Sequence, residues 1–317
     1  MDAENKCFFA LDADRTFGER ISEQSGVPLN PHEVRQFEDG EHKIRPLVSV
    51  QDKNVFVLHA LYGDDLLSAD DKLCRLLFFI ACLKDACAAR VTALVPYLAY
   101  SRKDRKTQLY DPVTTQYVAR LFEAVGTDAV VTIDVHNLAA FQNAFRCRTE
   151  HLEANPIFVA HIAALVADAE VTVVSPDAGG MKRAEQFRQA LSILLQRPVG
   201  TGMMEKYRAL SAVTGEALVG EMQGRVAVII DDLISSGTTM QRTAIACRKG
   251  GASTVYAVAT HGLLIGAASE VLAGNALDQV IIANTVPPFR VSDVQALQKL
   301  TVLDCSKLFA DVIRRIH

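Results

Sequence analysis

Two adjacent carboxylates, Asp231 and Asp232, end an apolar run in the sequence and are followed by small hydroxyl residues and a glycine. Acids at the edge of a core lose solvation energy unless a positive or hydroxylated group meets them. The turn after them offers backbone N–H groups, hydroxyls and the start of a helix, which together suit a phosphate. It consists of Ser235, Ser236, Gly237, Thr238 and Thr239. Carboxylates accept hydrogen bonds from sugar hydroxyls or bind hydrated Mg²⁺, so the pattern predicts a phosphorylated-sugar site; the alternative is an ordinary acid-capped loop.

Two other apolar runs end in residues that can bind a cation or an anion. Asp134 and His136 are two positions apart, which places them on one face if the strand persists. Asp177 precedes a pair of glycines and then Lys182 and Arg183, a candidate metal or ribose contact beside an anion clamp. A histidine held by the core is the more common outcome for a lone His–Asp pair.

Three polar stretches lie between the apolar runs. Residues 35–45 place Phe37, Asp39 and Glu41 around an Asp-Gly turn, and their structural alternative is a plain hairpin. Residues 99–108 are strongly basic, and their alternative is a solvated turn. Residues 203–216 contain Lys206 and Arg208 and resemble a mobile loop or a linker.

The elements that must position these residues alternate along the chain. Near-continuous Val, Ile and Leu, rather than alternating apolar residues, is typical of strands buried on both faces of a parallel sheet. Such runs occupy residues 54–61, 90–100, 128–136, 169–177, 225–232, 253–262 and 278–285, and helical patterns occupy residues 70–89, 111–126 and 238–251. The sequence therefore predicts an α/β protein with mostly parallel sheets flanked by helices.

The length of the chain and a weak internal sequence repeat indicate two domains. At 317 residues the chain suits two domains of ordinary size. Residues 90–106 and 170–184 each run from a strand through a proline to a basic pair, as two copies of one α/β unit would. We expect the first domain to cover residues 1–150 and the second residues 151–301.

The composition narrows the possible partners. A formal net charge of −4 argues against a surface that coats nucleic acid or a polybasic membrane patch. Seven cysteines without a C-x-x-C pair, and a start without a leader pattern, favour reduced thiols in the cytoplasm. The uncharged stretch 250–269, broken only by His261, fits a buried strand better than a membrane span.

Together these stretches resemble the ribose-phosphate pyrophosphokinases, also called phosphoribosyl pyrophosphate synthetases. The similarity runs from FEDGEHKIRP to VLDCSKLFADVIRRIH and includes PYLAYSRKDRK, DVH, SPDAGGMKRA and DDLISSGTT in the family's order. It implies two phosphoribosyltransferase-type domains related by pseudo-symmetry, and we expect the tail 302–317 to pack on the first. It also implies transfer of pyrophosphate from Mg·ATP to the C1 hydroxyl of ribose 5-phosphate, which releases AMP.

The resemblance implies a role for each matching residue. The ATP base would contact a hairpin that in this family often reaches across a subunit interface, and Mg²⁺, or else Mn²⁺, would be the cation. The ATP residues would be Phe37, Asp39, Gly40, Glu41, Arg102, Lys103 and His136; the metal ligands would be Asp134, His136 and Asp177; Lys206 and Arg208 would be catalytic on a flexible loop; and ribose 5-phosphate would meet Arg208, Asp231, Asp232, Ser235, Ser236, Gly237, Thr238 and Thr239.

The chain also departs from the family's usual pattern. Lys103 replaces a common Gln and adds a positive charge, Ser235 replaces an Asp, and Thr238 replaces a Gly. After His136 the usual Q-I-Q-G-F-F becomes AAFQNAF. These changes bear on affinity, nucleotide preference and regulation rather than on the type of reaction.

Two other functions fit parts of the pattern. A non-catalytic subunit that regulates a synthetase would be expected to carry a damaged catalytic loop, whereas Lys206 and Arg208 are both present. A phosphoribosyltransferase would need only one such domain. We therefore expect an enzyme that binds ATP and ribose 5-phosphate, forms a homo-oligomer, and contacts neither nucleic acid nor membrane.

Overall fold

The protein is described by a computed structural model over residues 5–11, 14–209 and 212–316. The chain divides into two compact units, Met1–Glu153 with Cys305–His317, and Ala154–Asp304. The domain boundaries that the sequence suggests, at residues 150 and 301, stay a prediction. Among the residues with a described position, no helix has the length and apolar character needed to cross a bilayer.

The first unit is built on a five-stranded parallel sheet in the order β1-β4-β5-β6-β7. Helices α1 and α2 pack on its strands, and α10 packs against α1. Its elements are β1 Lys6–Ala10, α1 Arg15–Ser25, β2 His32–Gln36, β3 His42–Pro46, β4 Asn54–Leu58, α2 Ala69–Asp85, β5 Arg90–Leu94, α3 Thr114–Ala124, β6 Ala129–Ile133, α4 Leu138–Ala144, β7 Arg148–Leu152 and, from the end of the chain, α10 Ser306–Arg315. Strands β2 and β3 form a separate antiparallel hairpin.

The second unit is built on a seven-stranded sheet in the order β10-β9-β8-β11-β12-β13-β14. All its neighbours are parallel except β9 and β10. Its elements are α5 Asn155–Val166, β8 Val171–Ser175, α6 Met181–Leu195, β9 Gly200–Ala209, β10 Ala212–Val219, β11 Val226–Ile234, α7 Thr238–Lys249, β12 Thr254–Gly262, α8 Ala268–Ala273, β13 Gln279–Ala283, α9 Val294–Lys299 and β14 Leu300–Leu303.

The central strands are buried on both faces, as expected of a parallel sheet that lies inside an α/β domain. Every residue of β6 and of β8 is buried. Helix α2 begins at a capping box, in which Ser68 and Asp71 bind each other's backbone N–H groups. The predicted α/β fold class is thus confirmed, and all seven predicted apolar runs contain a strand. Parallel pairing also sets the carboxyl ends of these strands along one edge of each sheet, where ligands of such sheets bind.

The structure differs from the sequence-based expectations in two places. The run 128–136 leaves strand conformation after Ile133, because Asp134 adopts a left-handed backbone with φ of 42°. Asp134 and His136 therefore do not share the face of a strand. Residues 203–216 were expected to form a loop or linker, but residues 203–209 belong to strand β9 and residues 212–216 to strand β10, and the two strands pair antiparallel with a register shift between Val213 and Glu216.

Candidate functional site

The turn between β11 and α7 has the geometry of an anion cradle. Gly237 caps the helix with φ of 76°, a conformation that disfavours other residues. The side chains of Ser236 and Thr238 are joined by a hydrogen bond of 2.9 Å between their hydroxyl oxygens. The backbone N–H of Ile265 donates to the carbonyl of Ser235 at 3.0 Å, so the following loop holds the turn in place. The helix N-terminus and the hydroxyls together offer donors to a phosphate.

Asp231 and Asp232 lie near the end of β11, where they meet the guanidinium of Arg183. The Nη1 atom of Arg183 is 3.1 Å from Oδ1 of Asp231 and 3.4 Å from Oδ1 of Asp232. Asp232 is only 4% exposed at its side chain. The positive group that the buried Asp232 and the partly buried Asp231 require is therefore supplied by the first turn of α6, which packs against β11.

The environment of Asp231 changes its protonation. Burial raises the pKa of Asp231 to about 7, the hydrogen bond to Asp232 and its negative charge add to the rise, and Arg183 opposes it. The carboxyl of Asp231 thus changes its hydrogen-bonding character near neutral pH. An ionised carboxylate only accepts hydrogen bonds, which is what sugar hydroxyls require.

The loop after β8 brings Asp177 to the start of α6. Its Oδ1 atom accepts a hydrogen bond of 2.9 Å from the backbone N–H of Gly180, while the residue as a whole is exposed. The hydroxyl of Ser175 donates to the carbonyl of Asp177 at 2.6 Å and fixes the loop from below. Lys182 is exposed, whereas Arg183 is committed to the acids of β11. Of the two basic residues of the expected anion clamp, Arg183 is therefore engaged by carboxylates, and Lys182 is the more exposed.

In the first unit, the tip of the β2–β3 hairpin carries four of the predicted ATP residues. Phe37, Asp39, Gly40 and Glu41 are all exposed, and the Phe37 ring lies 5.2 Å beneath the guanidinium of Arg35. Gly40 has φ of 91°, and the N–H of Glu41 donates to Oδ1 of Asp39 at 3.1 Å. The plain hairpin considered as the alternative is therefore present. It holds an exposed aromatic ring and the exposed acids Asp39 and Glu41 at its tip.

The basic loop after β5 lies at the carboxyl edge of the first sheet. Arg102 is exposed, whereas the Nζ atom of Lys103 is 2.6 Å from Oδ2 of Asp111. The side chain of Asn137 donates to Asp104 at 2.5 Å and caps helix α4 through Ala140. These contacts join the loop after β5 to the loop after β6, which contains Asp134 and His136.

The residues expected to bind a cation lie on loops in both units. His136 is exposed and Asp134 is partly buried at the edge of the first sheet, and Asp177 belongs to the second unit. Within the described ranges, no three His, Cys, Asp or Glu side chains form a group that could hold a metal. Mg²⁺ is usually held by one or two carboxylates together with substrate phosphates, and the carboxylate oxygens of Asp134 and Asp177 fit that chemistry.

Lys206 and Arg208 are both in strand β9. Their backbones pair with Glu216 and Val213 of β10. The side chains of residues 206–216 lie outside the described part of the structure, so the predicted roles of Lys206 and Arg208 stay predictions.

Two residues that matter to these sites were missed or misjudged from the sequence. Arg183 was assigned to bind an anion, but it pairs with carboxylates 48 and 49 positions away. Asp111 was not singled out at all, although an acid placed directly before a proline and a helix is a common loop-closing residue. Only the pairing of strands and the path of the loop show these contacts.

Comparison with protein families finds two matches along the chain. The N-terminal domain of ribose phosphate pyrophosphokinase matches residues 7–126. A phosphoribosyl synthetase-associated domain matches residues 209–317.

Curated proteins and a solved structure give the same result. The chain is 31% identical to ribose-phosphate pyrophosphokinase 1 of Streptococcus agalactiae, over 100% of the chain and 95% of the relative. It is 33% identical to the ribose-phosphate pyrophosphokinase of Caldanaerobacter subterraneus, over 98% and 94%. The crystal structure of phosphoribosylpyrophosphate synthetase from Mycobacterium smegmatis matches with a TM-score of 0.87 and 29% identity, over 98% of each chain.

Proposed function

The chain belongs to the ribose-phosphate pyrophosphokinase family of enzymes, and from that premise we propose that it transfers pyrophosphate from Mg·ATP to ribose 5-phosphate. The products are phosphoribosyl pyrophosphate and AMP. The observation that carries the proposal is the end of β11, where two acids held by Arg183 adjoin a hydroxyl-rich helix start.

We propose that ribose 5-phosphate binds at this end of the second sheet. The 5-phosphate binds at the N-terminus of α7, where Ser235, Ser236 and Thr239 supply backbone and hydroxyl donors. The acids Asp231 and Asp232 accept hydrogen bonds from the ribose hydroxyls. Gly237 and Thr238 complete the turn, and Arg208 of β9 contributes a further charge.

ATP binds to the first unit in this proposal. Phe37 and the turn Asp39, Gly40 and Glu41 contact the base, because the exposed ring can stack on it and the acids can accept its amino protons. Arg102 and the basic loop that includes Lys103 neutralise the phosphates. His136 lies on the adjoining loop and contributes to the phosphates or their cation.

Mg²⁺, or Mn²⁺ in its place, would be held together with phosphate oxygens at sites on the individual units, by Asp134 and His136 on the first unit and by Asp177 on the second. When bound, the cation supplies charge neutralisation and orientation to the polyphosphate. The family's reaction uses ATP, which is why a divalent cation is expected.

The chemistry follows from the atoms that must move. The C1 hydroxyl oxygen of the sugar forms a bond to the β-phosphorus, the bond from that phosphorus to the oxygen of the α-phosphate breaks, and AMP leaves with that oxygen. The hydroxyl proton is released. Such a displacement needs positioned reactants and neutralised charge rather than covalent catalysis, and Arg102, Lys206 and Arg208 supply positive charge.

The test is AMP release from ATP and Mg²⁺ with and without ribose 5-phosphate, using the full chain. Sugar-dependent AMP supports the proposal. A folded protein that binds both ligands but releases no AMP would instead support the alternative, a regulatory subunit. The variant Lys206→Ala is expected to lower turnover by about a hundredfold or more while ATP binding is retained, because its charge acts mainly in the transition state. A phosphoribosyltransferase, the less favoured alternative, would consume phosphoribosyl pyrophosphate.

The remaining expectations about the protein stay predictions. They are a homo-oligomer, a cytoplasmic location, and no contact with nucleic acid.

A further inference from the structure

One carboxylate, Asp111, closes the basic loop after β5. Its Oδ2 atom accepts four hydrogen bonds: from Lys103 Nζ at 2.6 Å, from the N–H and the hydroxyl of Thr107 at 2.9 and 2.7 Å, and from the N–H of Gln108 at 3.0 Å. The donated hydrogen bonds, led by that of Lys103, hold the pKa of Asp111 well below its usual range. The carboxyl is therefore ionised at any physiological pH.

The charge of Lys103 is largely compensated inside the loop. Its side chain is 35% exposed, and its ammonium also donates to the hydroxyl of Thr107 at 3.3 Å. Arg102, Arg105 and Lys106 are exposed instead. Residues 102–111 contain four basic side chains and two acids, so the loop carries a formal charge of +2. The net positive charge of the loop is therefore carried by exposed side chains other than that of Lys103.

The loop is also tied at its base. The hydroxyl of Thr115, in the first turn of α3, donates to the carbonyls of Tyr100 and Lys103 at 3.0 and 3.2 Å. Asp104 is tied to the start of α4 through Asn137. A loop that is held at both ends and closed by an internal ion pair loses little conformational entropy when it binds a polyphosphate. Without the ion pair of Lys103 with Asp111 the free loop would be more mobile, and binding would then cost more conformational entropy.

We propose that Lys103 and Asp111 are positioning residues that form an ion-pair clip, and that Arg102, with Arg105 and Lys106, binds the polyphosphate directly. This inference rests on the proposed function, because it concerns the nucleotide site of the same reaction. Lys103, the lysine that departs from the family's pattern, would therefore stabilise the conformation of the loop rather than add a contact to the phosphates.

The two possible roles of Lys103 predict opposite signs for one substitution. If Asp111 clips the loop, Asp111→Asn weakens the binding of ATP. If Lys103 binds phosphate and Asp111 merely competes for it, Asp111→Asn removes a negative charge near the phosphates and strengthens ATP binding. Isothermal titration with Mg·ATP, without sugar phosphate, separates the two roles.

The expected result is a Kd for ATP raised roughly 5- to 20-fold in Asp111→Asn and to a similar extent in Lys103→Gln. The double variant should be no weaker than the weaker single variant, because both remove one contact. Asp111→Glu, which keeps the charge, should recover part of the affinity. The KM for ribose 5-phosphate should stay within about twofold of wild type, which a general loss of structure would not allow. Unchanged or tighter ATP binding by Asp111→Asn would overturn the inference.

A second readout is independent of catalysis. In the ligand-free protein, trypsin should cut after Arg105 and Lys106 several-fold faster in Asp111→Asn than in wild type, because an open loop fits a protease more easily. Equal rates would mean that no clip exists. If wild type neither binds ATP nor releases AMP, the proposed function fails, and the trypsin comparison still tests the clip.

Discussion

The Nη1 atom of Arg183 lies 3.1 Å from Oδ1 of Asp231, across 48 residues of sequence. The contact joins the first turn of α6 to the end of β11, so the loop that carries Asp177 and the strand that carries the acids are held in one arrangement. The same guanidinium reaches Asp232. A single positive charge therefore lies beside two neighbouring carboxyl groups and opposes the rise in the pKa of Asp231.

The first prediction concerns the pH dependence of sugar binding. The pKa of Asp231 is raised to about 7, so its accepting, ionised form is lost as the pH falls through that value. Arg183→Gln removes the opposing charge and raises this pKa further. The Kd for ribose 5-phosphate, measured without added metal, should be about tenfold weaker in this variant at pH 7.5, and the difference should shrink by pH 9.

A control on the same helix separates this effect from helix stability. Arg188 pairs with Glu185 on α6 and does not contact the acids of β11 in any described interaction. Arg188→Gln should leave the pH profile of sugar binding unchanged. A profile in Arg183→Gln that matches wild type would show that the guanidinium does not set the ionisation of Asp231.

The second prediction concerns stability. A carboxyl whose folded pKa is about 7 binds more protons in the folded state than in the unfolded state between about pH 4 and pH 7. The free energy of unfolding contributed by Asp231 therefore falls as the pH rises through that window. Asp231→Asn should be more stable than wild type at pH 8 by about 4 kcal/mol, with little difference near pH 4. Urea denaturation at both pH values measures this, and a gap that grows toward acid would contradict it.

The third prediction concerns the glycine of the phosphate turn. A Cβ at position 237 would lie 3.0 Å from Cγ1 of Val271 on a backbone with φ of 76°. Gly237→Ala should therefore lower the free energy of unfolding by about 2–3 kcal/mol and weaken sugar-phosphate binding.

The matched control is Gly224, which has φ of 72° and open space where the Cβ of an alanine would lie, with no heavy atom within 4 Å. Gly224→Ala should lower the free energy of unfolding by about 1 kcal/mol, the cost of placing an alanine on a left-handed backbone. Measured in a Val271→Ala background, the additional loss of stability caused by Gly237→Ala should approach the loss in that control. Equal losses in the two single variants would mean that the contact with Val271 is unimportant.

The fourth prediction concerns Asp177. Asn at this position keeps an acceptor for the N–H of Gly180 but removes the charge that a cation needs. Asp177→Asn should keep its Tm within about two degrees of wild type, while Mn²⁺ binding in the presence of ribose 5-phosphate should weaken about tenfold or more. Electron paramagnetic resonance of free Mn²⁺ reports the affinity. Wild-type Mn²⁺ binding by the variant would remove Asp177 from the metal site.

What the sequence predicted well was local. The acids, hydroxyls and glycine of residues 231–239 are contiguous, so their positions at a strand end and a helix start follow from pattern alone. The strands that were missed include β7 and β14, short strands at sheet edges. Edge strands are half solvated and lack the continuous apolar run that marks a buried strand.

What could not be predicted depends on contacts between distant segments. The pairing of Arg183 with Asp231 requires β8 and β11 to be neighbours, an order that no local pattern encodes. Likewise, the ion pair of Lys103 with Asp111 depends on how the loop folds back on itself. Charge alone suggested that both basic residues bind phosphate, whereas each has a carboxylate partner in the folded chain.

The most direct test of the proposed reaction is ³¹P NMR of ATP, ribose 5-phosphate and Mg²⁺ incubated with the full-length protein. We expect AMP in equal amount to a sugar product that carries two linked phosphorus atoms at C1 besides its 5-phosphate. Formation of ADP with a single phosphate at C1, or no sugar-dependent change with a folded protein that binds both ligands, would contradict the proposed reaction.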